Sequence, residues 1–289
     1  MGAPGPPVTI GHDAVGLLRV PDPYDFELST SRFRDYGTDL ATVWHEGGLH
    51  RVVAGREVRV VPAAGGVRVE PWSDVRAAEV GRLLGAPFDL DSFHAWVGAE
   101  PVLSDHVAQL RGFRPTLNPR PWEALVVAIT AQQISLRAAA AIRARFVERL
   151  GVRHGIAWAF PEQEAVARLR PRELMVLGFS TRKAEYVIEL ARSGLDFDAI
   201  AALPDDEVIT RITAQPGLGR WTADWYLARH LARPRAWPAG DLGLRKAVSA
   251  FYAGGRLLTT EEVRTMGERF APFENLSAQF LLAAARLAA

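Results

Sequence analysis

Apolar and polar positions alternate with period two between residues 49 and 71. The runs LHRVVAG, REVRVVP and GGVRVEP are set off by the glycine-containing turns HEGG, AGR and AAGG. That pattern predicts an antiparallel meander. From Ser73 onward the period lengthens toward 3.6, and amphipathic helices are expected at DVRAAEVGRLLG and LDSFHAWVG. PWEALVVAITAQQI puts Pro121 near a helix start, where a missing N–H costs nothing. Ser135 then caps a further helix, LRAAAAIRARFVERLG, which stops at Gly151. Helices are also expected over 172–177, 181–192, 205–214, 220–231, 242–251 and 261–270, and through QFLLAAARLA. The fold class is therefore α+β. A small N-terminal antiparallel sheet domain with linking helices (1–105) precedes a larger all-α domain (106–289).

Composition narrows the chemistry. The 289 residues carry a formal net charge of +1, so there is no polyelectrolyte tail or uniformly basic coat. With no cysteine, the chain has no disulfide, Cys-ligated cluster or thiol nucleophile. No run approaches 18 apolar residues, and MGAPGPPVTI lacks a basic region followed by an apolar stretch. A soluble, cytoplasmic protein without membrane contact is expected. Of the 34 basic residues 32 are arginine, so Lys183 and Lys246 are the only candidates for amine chemistry. The seven histidines show no metal-ligand spacing, and no P-loop or G-x-S-x-G elbow occurs.

The most informative stretch is ITRITAQPGLGRWTADWYLARHLARPRAWPAGDLGLRKAV, residues 209–248. Its Pro-Gly-Leu-Gly turn joins two helices. The turn's N–H groups and the positive end of the second helix would face outward together, a seat for phosphate. Between Arg211 and Ala250 there are seven Arg or Lys and two Asp, a locally basic face on a near-neutral chain. An ordinary helix hairpin with solvated arginines would read the same way. Asp241, after Gly240 and before a helical run, has the position of an N-cap. A cap leaves one carboxylate oxygen free, and an anion there suits a transition state that develops positive charge on a sugar. Trp221, Trp225, Trp237 and Tyr226 bracket the region; they fit a buried helix face or a stack against an extruded base.

PGLGRWTADW followed by PAGDLGLRKAV resembles the helix–hairpin–helix and catalytic aspartate of the helix–hairpin–helix DNA glycosylases. PYDF, AITAQQISLRAAA and FSTRKAEYVIELA extend the resemblance to their alkylation-repair branch, 3-methyladenine DNA glycosylase II. The resemblance implies that the N-terminal meander is a TATA-binding-protein-like sheet domain. It implies a monofunctional enzyme of base excision repair that flips out and hydrolyses alkylated purines, with etheno or deaminated bases as further substrates, from double-stranded DNA, acting as a nucleoid-associated monomer. Asp241 would stabilise the oxocarbenium-like sugar. Trp221, Trp225 and Tyr226 would line the base pocket. DNA would be held by Gln133, Arg182, Lys183, Pro216, Gly217, Leu218, Gly219, Arg220 and Arg245. No cofactor is required, and the backbone carbonyls of Thr213, Gln215 and Leu218 would hold a structural Na+ or K+.

Four departures from the pattern matter. Trp221 stands where strand-cleaving relatives carry a Schiff-base lysine, so lyase chemistry is not expected. Gln133 replaces an apolar wedge, Leu282 replaces a pocket tryptophan, and Trp225 takes the place of another pocket aromatic. Two other readings stay open: a non-catalytic helix–hairpin–helix protein that binds damaged DNA, and a glycosylase for oxidised purines.

Overall fold

The computed structural model describes residues 14–288, so the opening MGAPGPP and the stretch from Val8 to Asp13 lie outside the described residues. Strands β1 (Gly16–Arg19), β2 (Thr42–His45), β3 (Gly48–Val53), β4 (Arg56–Ala63) and β5 (Gly66–Glu70) form one antiparallel sheet in the order β1-β5-β4-β3-β2. The three runs read from the alternation are β3, β4 and β5. Their registers set Leu49 opposite Val60 and Val60 opposite Val69. These residues, with Val53, Val58 and Val67, are buried against α1 (Phe26–Thr30), α2 (Arg32–Asp35) and α3 (Asp74–Leu83).

The helical part comprises α4 (Leu90–Val97), α5 (Pro101–Gln109), α6 (Pro121–Ala131), α7 (Leu136–Leu150), α8 (Gln163–Ala167), α9 (Pro171–Met175), α10 (Thr181–Arg192), α11 (Phe197–Ala201), α12 (Asp205–Thr213), α13 (Arg220–Arg229), α14 (Leu242–Tyr252), α15 (Thr260–Gly267) and α16 (Glu274–Leu287). A short hairpin, β6 (Val152–His154) with β7 (Ala157–Ala159), follows α7. It packs on β3, which is buried along its whole length.

Two hydrophobic cores divide these helices. One joins α6, α7, α10, α12 and α13, with Ile129, Phe146, Val187, Ile212 and Ala223 fully buried. The other joins α4 and α5 to α14–α16 through Phe93, Leu103, Val248, Phe270 and Phe280. The boundary expected at residue 105 falls inside α5, whose Leu103 and Val107 bury into that second core. The buried Asn275 crosses the seam, donating its amide to the carbonyls of Ala228 (3.0 Å) and Arg233 (2.9 Å).

Among the helix ends that differ from the periodic reading, two do so for a clear local reason. Helix α6 stops at Ala131 because Gln132 is extended (ψ 128°) and Gln133 left-handed (φ 55°). Helix α16 starts at Glu274, five residues before the apolar run, because its first turns bury the polar side chains of Asn275 and Ser277.

Candidate active site

The Pro-Gly-Leu-Gly turn links α12 to α13 and is anchored by Leu218, 2% exposed in the first core. Gly217 has φ +75°, and the Tyr186 ring packs where its side chain would stand. Gln132 braces the turn by donating to the Gly217 carbonyl at 2.9 Å. Sequence reading missed Gln132, because AQQIS carries two adjacent glutamines and only the bend at Gln133 separates their tasks.

Helices α7, α10 and α14 are closed at their N-termini by the side chains of Ser135, Ser180 and Asp241. Helix α13 begins at Gly219 with no side-chain cap. The N–H groups of Gly219, Arg220 and Trp221 make no hydrogen bond among the described residues, whereas Thr222 and Ala223 donate back to the Gly219 carbonyl. Three outward donors at a positive helix end form an anion seat. Arg220 turns along its own helix and pairs with the buried Asp224 at 2.7 Å.

Asp241 sits at the start of α14, directly across the seam from α13. Its Oδ1 accepts from the Leu244 N–H at 2.9 Å, the expected cap. Its Oδ2, expected to be free, is not. It accepts the indole N–H of Trp221 at 3.0 Å and that of Trp225 at 3.2 Å. These residues lie one turn apart on α13, so both indoles reach the same oxygen. Three donors to one carboxylate are charge-assisted bonds that fix its rotamer. Oδ1, with one donor, keeps a lone pair for a ligand. A side chain at Gly243 would crowd both that oxygen and Leu282, so Gly243 keeps the approach open. Leu282 is therefore beside the carboxylate, on α16.

Several roles expected from the sequence change. Tyr226 does not line a pocket: it is 2% exposed, stacks on His230 at 4.8 Å and belongs to the first core, because it projects about 100° around α13 from Trp225. Trp237 is likewise core, donating to the Val263 carbonyl. Lys183 is not free for phosphate; its ammonium caps α6 through the carbonyls of Thr130 (3.0 Å) and Gln132 (2.6 Å). Arg245 is held by the Leu258 carbonyl through Nε (3.0 Å) and Nη2 (2.8 Å). Arg182 is exposed without a hydrogen bond or ion pair among the described residues, and Gln133 is exposed beside Ile134 and Leu136, which also face solvent. At the turn, the Gln215 carbonyl accepts from Leu218, while those of Thr213 and Leu218 accept no hydrogen bond among the described residues. Two unengaged carbonyl oxygens are ligands of the kind a monovalent cation takes. No helix among the described residues is long and apolar enough to cross a membrane.

Residues 126–272, just over half of the chain, match the family model described as HhH-GPD superfamily base excision DNA repair protein. A DNA-3-methyladenine glycosylase of Bacillus subtilis is 30% identical over 209 residues, which cover 68% of this chain and 67% of that protein. The structure of the 3-methyladenine DNA-glycosylase from Archaeoglobus fulgidus superposes with a TM-score of 0.82 at 27% identity, covering 93% of this chain and 98% of the other. The Schizosaccharomyces pombe 3-methyladenine DNA glycosylase in complex with abasic DNA superposes with a TM-score of 0.60 at 26% identity, over 68% of this chain and 96% of its own.

Proposed function

The chain belongs to the HhH-GPD superfamily of base excision DNA repair proteins, and we propose that it hydrolyses the N-glycosidic bond of alkylated purines in double-stranded DNA, as a single chain, without cutting the strand. The observation that carries this reading is the Asp241 carboxylate, fixed by three N–H donors and set one helix beyond a turn whose helix start has no side-chain cap. The free N–H groups of Gly219, Arg220 and Trp221 take a backbone phosphate. Gln133, exposed at a left-handed bend, fills the space left by the extruded base.

With the base extruded, the bond between the purine nitrogen and C1′ breaks and its electron pair leaves with the base. Asp241 stabilises the positive charge that grows on the sugar. Water then adds its oxygen to C1′ and loses a proton, so the products are the free base and an abasic site. Strand cleavage would need an amine on C1′. Trp221, at the position the resemblance assigns to the lysine, has none; of the two lysines, Lys183 is committed to two carbonyls and Lys246 is exposed on α14. A cation on the Thr213, Gln215 and Leu218 carbonyls would add positive charge beside the phosphate.

The test is release of free bases from methylated duplex DNA by wild type and Asp241→Asn. The amide keeps the volume and an acceptor for the cap but carries no charge. Release is expected to fall by at least ~10³-fold while affinity for an abasic-site duplex stays within about threefold. Near-wild-type release by Asp241→Asn would sink the assignment.

A further inference from the structure

Behind Asp241, the seam between α13 and α16 carries more positive charge than its carboxylates balance. Arg229 lies one turn beyond Trp225 on α13, and its guanidinium covers the Trp225 ring at 4.5 Å. Its Nη2 donates to Gln279 at 3.2 Å, and its Nε is buried with no partner among the described residues. Arg286 lies one turn beyond Leu282 on α16 and donates to the Tyr36 hydroxyl at 3.3 Å. Burial, with the repulsion of Arg286, lowers the Arg229 pKa to about 10, against the opposing pull of the Asp241 carboxylate and the Tyr36 phenol. Arg32, from α2, stands near both.

These contacts bear on the charge of the base. A purine methylated at N3 or N7 is a cation. It would enter beside two guanidinium groups, and one π-face of Trp225 is already taken by the Arg229 cation. A neutral purine with a carbonyl or ring-nitrogen acceptor could instead receive hydrogen bonds from these guanidinium groups, which are bound to a neutral amide and a phenol. The two classes also leave differently. A cationic base departs neutral, whereas a neutral base departs with developing negative charge that guanidinium donors stabilise. Both effects have the same sign.

We propose that Arg229 and Arg286 make this site selective for neutral purine lesions with hydrogen-bond acceptors, the deaminated and etheno classes, over cationic methylpurines. The proposal rests on the glycosylase reading above. It makes the two arginines specificity-determining residues.

The experiment is single-turnover base release from duplexes carrying one hypoxanthine or one 7-methylguanine, each rate divided by the spontaneous rate of the same duplex. Wild type is expected to give an enhancement at least ~10-fold larger for hypoxanthine. Arg286→Gln and Arg229→Gln should each lower hypoxanthine release by ~10-fold or more and leave 7-methylguanine release unchanged or faster. Tyr36→Phe removes the hydroxyl partner of Arg286 and should not reproduce the Arg286→Gln pattern. If Arg229→Gln fails to fold, the wild-type ratio and Arg286→Gln still decide. Equal losses on both substrates, or a larger wild-type enhancement for 7-methylguanine, overturn the proposal while the hydrolase reading stands. Release of neither base by wild type overturns both.

Discussion

Trp221 and Trp225 each give Asp241 an N–H, and that changes what a substitution there should do. Trp225→Phe keeps an aromatic ring under Arg229 but removes one of the three bonds to the carboxylate. A hydrogen bond to a charged group contributes about 1.5–3 kcal/mol, so the rate constant for base release should fall ~10-fold or more with DNA affinity little changed. Single-turnover kinetics beside a binding titration would show this; a change confined to affinity would contradict it. His230 carries a pH effect. Burial pushes its pKa down to about 4, opposed by the bond from its Nδ1 to the Asn118 carbonyl. An unfolded histidine titrates near 6.5 and so binds more protons than the folded one between those values. Stability should therefore be full above pH 6.5 and fall by about 3 kcal/mol as pH drops toward 4. Urea unfolding at pH 7, 5.5 and 4.5 measures it, and His230→Gln should flatten the dependence.

At the scale of elements, the hairpin depends on two glycines for different reasons. Gly217→Ala would place a side chain at φ +75° and into the Tyr186 ring, so a loss of about 2 kcal/mol or more is expected by urea unfolding. Gly219 has φ −89° and open space around it, and Gly219→Ala should cost about 1 kcal/mol or less. Equal effects at the two positions would refute that division. The hairpin and the Asp241 cap were legible in the sequence because turn chemistry and capping are local signals. The same holds for strands β3 to β5, short period-two runs set off by glycine-containing turns. The strands of the β6–β7 hairpin have three residues each and show no period. Helices α8 and α11, at five residues each, are also too short to show one. The two indole bonds to Asp241 depend on how far α13 and α14 stand apart, and Lys183 was misread because its partners are carbonyls 51 and 53 residues away. No spacing within a motif encodes those contacts.

For the whole molecule, the composition change near residue 75 marks the end of the sheet, but the sheet is not a loose appendage. Arg51, from β3, is 3% exposed and pairs with Glu123 of α6 at 2.5 Å and with Glu79 of α3 at 3.0 Å. Arg120 closes the group by pairing with Glu79 at 3.1 Å and donating to the Val52 carbonyl at 3.2 Å. Removing one partner of a buried pair leaves the other charge unpaired. Glu123→Gln should therefore lower stability by about 3 kcal/mol in urea unfolding at neutral pH. A loss below about 1 kcal/mol would mean that Glu79 alone satisfies Arg51. The second core was beyond sequence reading, since α4 and α5 meet partners more than 130 residues away in α14–α16.

Trp221 belongs to both halves of the site. Its backbone N–H is one of the three donors open to a phosphate, and its indole N–H holds the carboxylate. The stretch between those two atoms is a single side chain, so under the proposed function the protein would work as a caliper of fixed gap. On the proposed reading, whichever phosphate the turn gripped, the sugar presented to Asp241 would lie at one set offset along the strand. A chain sliding on DNA would thus examine its nucleotides one at a time, by step rather than by search.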